Sequence, residues 1–183
     1  STLGKMKELL ILKSLLLFAF TSPSIAVEVN CKFSYKAKKF NSFARDFYEC
    51  ELENIFEEPI EATSVTGCHV ESASDSDVTD FLVGFAVITG NTKYYPTKMC
   101  THLINLKKMT LWSSDALEIK RDIFSGCEKL IDISIMFSNQ KKLDDDLFTE
   151  IPTLKSVSII NSKLEFLQKN IFENNPALET LNF

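Results

Sequence analysis

From Leu82 to the end of the chain, one apolar pattern returns every 24 residues. Leu82, Leu106, Leu130, Leu154 and Leu178 are each separated by 24 positions. Three places after each sit Phe85, Met109, Ile133, Val157 and Leu181, and two places further on sit Val87, Leu111, Ile135, Ile159 and Phe183. A fixed period of this length implies stacked copies of one supersecondary unit rather than a single closed core. Stacks of this kind mostly serve as recognition surfaces, so the period favours binding over catalysis.

The units run 82–105, 106–129, 130–153 and 154–177, with 178–183 opening a fifth. Apolar residues at positions 1, 4 and 6 predict a short strand with one face turned inward. The residues between them face solvent: Lys107, Lys108 and Thr110 in one unit, Lys155, Ser156 and Ser158 in another. The return half is periodic too. Position 14 holds Tyr95, Ile119, Leu143 and Leu167; position 18 holds Met99, Ile123, Leu147 and Ile171; position 19 holds Cys100, Phe124, Phe148 and Phe172. The three phenylalanines are expected to stack as a column. Pro152 and Pro176 stand two residues before a strand, where proline ends a turn without breaking a ladder. The pattern stops at the sixth residue of a unit, on an apolar edge that natural stacks cover, so the natural chain is expected to continue past Phe183.

The front of the chain reads differently. Met6, with Lys5, Lys7 and Lys13 around it and the apolar run Leu15–Phe20 behind, looks like a secretory signal, with Ser24-Ile25-Ala26 as the cleavage site. The run is shorter than the roughly 20 residues a spanning helix needs, which argues against a membrane anchor. Residues 1–26 are therefore read as leader plus signal, and 27–81 as an N-terminal cap. Cleavage leaves 17 basic and 24 acidic residues, a net charge of −7. An acidic secreted chain without a basic block is poorly suited to nucleic acid or to an anionic membrane. No Asn-x-Ser/Thr sequon occurs.

In the cap, Val27, Val29, Cys31, Phe33 and Tyr35 alternate with polar residues, as do Tyr48, Cys50 and Leu52. Two such strands joined by the basic stretch Lys36–Arg45 form a hairpin that Cys31 and Cys50 can bridge. Ala62–Val70 adds a further strand. Five cysteines suit an oxidising compartment, and the odd number leaves one thiol free or paired with another chain. Cys100 and Cys127 lie one repeat plus three apart, a second pair that the sequence leaves open; Cys68 is then the odd one out.

The copies Leu106-Lys-Lys-Met109-Thr-Leu111, Leu130-Ile-Asp-Ile133-Ser-Ile135 and Leu154-Lys-Ser-Val157-Ser-Ile159 resemble the leucine-rich repeat, whose consensus is L-x-x-L-x-L-x-x-N/C-x-L. The resemblance implies a solenoid of the α/β class, β-rich and horseshoe-shaped. Parallel strands would line its concave face, short helical or 3-10 turns its convex face, and a Cys-containing β-hairpin would cap its N-terminus. One position departs from the consensus: its Asn is replaced by Gly90, Ser114, Ser138 and Ser162, so the turns are expected to hold with a looser ladder. The short Cys-containing head, Val65-Thr66-Gly67-Cys68-His69 and Tyr94-Tyr95-Pro96 are similar to secreted leucine-rich repeat proteins of insects. Members of that group bind other proteins, and some act in innate immunity.

Little in the chain points to chemistry. Cys68 and His69 are adjacent, so an extended chain sends their side chains to opposite sides. Cys100 and His102 are better spaced, but Cys100 fills the Phe position of its unit and reads as a buried small residue. Asp144-Asp145-Asp146 precedes a turn whose start favours acidic residues. Asp75, Asp77 and Asp80 lack calcium-loop spacing. There is no Gly-rich phosphate loop, His-Glu-x-x-His or Gly-x-Ser-x-Gly. No catalytic residue, metal ligand or cofactor is assigned.

Position 7 is the feature most suggestive of function. It holds Ile88, Trp112, Met136 and Ile160, with Phe137 close by and Lys107 and Lys108 across the strand face. A repeated exposed apolar column is a docking surface, since monomers rarely tolerate large contiguous apolar patches. In the competing reading the column tucks under the following turn as core. The sequence thus predicts a secreted, extracellular, non-enzymatic protein that binds another protein through the concave face. The alternative is an extracellular scaffold that self-associates through an unpaired Cys or an open edge.

Overall fold

The computed structural model describes residues 24–36, 47–52, 56–67, 69–70, 73–83, 92–112 and 115–183. The leader, the signal-like run, the basic stretch 37–46, Cys68, Ile88, Gly90 and Ser114 lie outside them. The strands are β1 (Ile25–Lys36), β2 (Phe47–Leu52), β3 (Ile60–Thr66), β4 (Asp80–Val83), β5 (Lys108–Trp112), β6 (Asp132–Met136), β7 (Ser156–Ile160) and β8 (Thr180–Asn182). They lie side by side in the order β3-β1-β2-β4-β5-β6-β7-β8.

The front of the sheet is mixed. Alternation of Val29, Cys31 and Phe33 with polar residues buries one face of β1, and Tyr48, Cys50 and Leu52 do the same on β2. The two strands pair antiparallel with Phe33 opposite Cys50, and the Cys31–Cys50 disulfide joins them with Cα atoms 5.2 Å apart. β3 lies on the other side of β1 and runs parallel to it, with a register shift at Val27/Glu28. Ile25 and Ala26, just before the predicted cleavage point, pair there with Ile60 and Glu61. β3 is followed by Gly67, whose φ of +138° only glycine adopts readily and where a Cβ would stand 2.1 Å from the Cys31 carbonyl oxygen. Thr97 bridges to the outer edge of β3, its N–H donating to Ile60 O and its carbonyl accepting from Ala62 N.

From β2 onward neighbouring strands are parallel, and the 24-residue period becomes register. Met109 pairs with Ile133 and Ile133 with Val157; Leu111 pairs with Ile135 and Ile135 with Ile159. All six are buried on the inner face, each contributing roughly 1.5–3 kcal/mol by burial of its side chain. Behind them the phenylalanine column forms: Phe124 and Phe148 ring centroids are 6.0 Å apart, and Phe148 and Phe172 stack at 5.3 Å.

Two expectations are corrected. The unit 82–105 does not share this register. Phe81 pairs with Met109, Leu82 with Thr110 and Val83 with Leu111, so the first step is 28 residues (109 − 81), not 24. The backbone records the same step. The Thr79 carbonyl accepts from Lys107 N and Lys108 N, whereas the Lys107 carbonyl accepts from Ile131 N and Asp132 N. Residues 81–88 read Phe-Leu-Val-Gly-Phe-Ala-Val-Ile, an almost unbroken apolar run that matches the pattern in either register. Tyr95, Met99 and Cys100 are buried and precede Ile119, Ile123 and Phe124, also buried, by 24, which places the extra four residues between Val83 and Tyr95.

The second correction concerns architecture. The sheet is open, mixed at one end, and neither closes nor winds into the expected horseshoe. Helix among the described residues is confined to the four-residue α1 (Met99–His102) and to 3-10 turns at Asp75–Asp77 and Arg121–Phe124. Solenoid curvature comes from a small rotation added at every repeat. Here the return segments are mostly turns, without a layer of helices wider than the strands to force that rotation, and one strand pair at the front is antiparallel.

Candidate apolar ridge on the outer sheet face

The outer face of the sheet is set by the same alternation that buries the inner one. On β5, Lys108, Thr110 and Trp112 are half-buried between buried Met109 and Leu111. Asp132, Ser134 and Met136 repeat this on β6, and Ser156 and Ser158 on β7. Register then lines them up in rows across the strands. Thr110, Ser134, Ser158 and Asn182 form a central row of hydroxyl and amide groups, while Trp112, Met136 and Ile160 form an apolar row at the strand ends.

Phe137 joins that row through an unusual backbone. It follows the last residue of β6 with φ +56°, and Asn161, one period later, has φ +51°. Asn tolerates the left-handed region; a bulky aromatic there is uncommon. The Phe137 N–H donates to the Ile160 carbonyl at 3.0 Å, and its ring stacks on Trp112 with centroids 4.8 Å apart and planes 21° apart. Phe137 and Ile160 remain 38% and 37% exposed. After β6 and β7 the serines of neighbouring turns meet: Ser138 N–H donates to Ser162 Oγ at 3.3 Å.

Of the residues singled out from the sequence, the structure brings Trp112, Met136, Phe137 and Ile160 together. Lys108 stands on the same face at the opposite end of β5, beside Asp132 in register, and Lys107 is exposed just ahead of the strand. Ile88 is outside the described residues, and with Val83 opposite Leu111 the register that aligned Ile88 with Trp112 does not extend to β4. Trp112, Met136 and Ile160 alternate with the buried residues of their strands and so stand on the outer face. Both candidate disulfides form, Cys100–Cys127 with Cα atoms 5.0 Å apart.

Several of the remaining candidates for chemistry have partners within the chain. His102 Nε2 lies 3.1 Å from the Ala62 carbonyl, and Asp146 takes Arg121 at 3.0 Å. His69 does something the sequence did not signal. Its Nε2 is 3.0 Å from Asp75 Oδ1 and its Nδ1 is 3.1 Å from the Tyr48 hydroxyl, which itself accepts from Val70 N–H at 2.9 Å. The carboxylate accepts, so in the neutral ring Nε2 carries the proton and Nδ1 receives the Tyr48 hydroxyl. The imidazole also lies flat on Phe33, centroids 4.0 Å apart. Partners separated by 6 and 21 positions leave no periodic trace.

Titrating groups with displaced proton affinity lie away from the ridge. The Ser74 hydroxyl and N–H hold Asp77 below its usual range, Glu57 raises Lys93, and Glu118 raises Lys120. Burial pushes the Tyr95 phenol up. Among the described residues no cluster of three or more His, Cys, Asp or Glu is placed to hold a metal ion, and no helix is long and apolar enough to cross a membrane.

No protein-family model matches the chain. No curated protein matches it in sequence. A solved structure of the Toll–Spatzle complex, described as a molecular hub in Drosophila development and innate immunity, is similar at a TM-score of 0.46 and 16% identity, over 66% of this chain. The match spans 16% of that neighbour's length. At this level the likeness bears on neither fold nor function.

Proposed function

We propose that this chain is a secreted recognition module that binds another protein through its outer sheet face, with Trp112, Met136, Phe137 and Ile160 as anchors. The observation that carries the reading is the alignment of these four apolar side chains in one half-exposed row, at the end of the β5–β7 face whose other side chains are polar. Trp and other large aromatic residues dominate binding energy where they cluster. Two intrachain disulfides suit an oxidising, extracellular setting. Binding rather than catalysis is favoured because Cys100, His102 and His69 are engaged in the disulfide and hydrogen bonds that hold the fold.

The test uses the full chain immobilised and exposed to extracellular fluid, against the triple variant Trp112→Ser, Met136→Ser, Ile160→Ser. The wild type is expected to retain a protein that the variant does not, with circular dichroism and disulfide content unchanged. Equal retention by both, or none by either, overturns the proposal. Size-exclusion with and without reductant distinguishes a foreign partner from self-association.

A further inference from the structure

We draw no further inference here: the strongest candidate, the apolar ridge at the ends of β5, β6 and β7 on the outer sheet face, belongs to the surface already proposed for binding, and nothing in the structure shows what covers it.

Discussion

Phe137 and Asn161 occupy equivalent left-handed positions one period apart, yet only one of them suits the backbone. A non-Gly side chain there costs about 1–2 kcal/mol, which Asn offsets with local hydrogen bonding. For Phe137 the stack on Trp112, worth about 0.5–1.5 kcal/mol, offsets a similar amount. Phe137→Asn is therefore expected to leave the melting temperature within a few degrees of wild type, whereas Asn161→Val lowers stability by about 1–2 kcal/mol. Comparable losses in urea titrations of the two variants would contradict this. Tyr95 makes the other single-residue case. Its ring is buried and its hydroxyl has no hydrogen-bond partner among the described residues. Its folded-state affinity for the proton is raised, so its contribution is fully present below the ordinary tyrosine value of about 10 and is lost as pH rises above it. Tyr95→Phe should leave neutral-pH stability unchanged or higher and flatten the decline above about pH 10. A variant as alkali-sensitive as wild type would show that the decline comes from other groups.

Among the elements, β5 to β8 could be read from the chain and β4 could not. Their strands are separated in sequence by polar turns, so the inward residues Met109, Ile133 and Val157 stand out, and register follows spacing. Around β4 the contrast vanishes in a run of eight mostly apolar residues, and periodicity cannot choose between steps of 24 and 28. The ridge was half legible for the same reason: Trp112, Met136 and Ile160 follow from spacing, but the left-handed turn that swings Phe137 onto Trp112 has no signature in a phenylalanine, a residue type rarely found there. Disulfides were readable only as candidates, because sequence separation says nothing about Cα distance. The Cys100–Cys127 bond ties α1 to the turn after Arg121–Phe124 and closes a separation of 27 residues. Loop-closure entropy assigns it about 3.5 kcal/mol. Replacing both cysteines with Ala should lower unfolding free energy by about that amount while the parallel register survives, as hydrogen-exchange protection in β5 and β6 would report. Loss of protection there would mean that the bond holds the strands and not merely the return segment.

At the scale of the molecule, the two halves of the sheet are held differently. The front relies on the Cys31–Cys50 disulfide, the Thr97 bridge and the Tyr48–His69–Asp75 hydrogen bonds; the back relies on repeated inward rows and the phenylalanine column. Asn175 extends that column side with a buried amide, its Nδ2 donating to the carbonyls of Phe148 and Ile151 at 2.9 and 2.7 Å. Across β5 to β7 such a sheet presents one face that is polar at its centre and apolar at the strand ends. The sequence contains a single tryptophan, and it is Trp112. All indole emission from this chain therefore arises at the stack with Phe137, which makes the ridge its own optical reporter. Phe137→Asn should redshift the emission by exposing the indole, and any protein that seats on the ridge should shift the wild-type spectrum the other way. A bound partner that left the spectrum unmoved would be bound somewhere else.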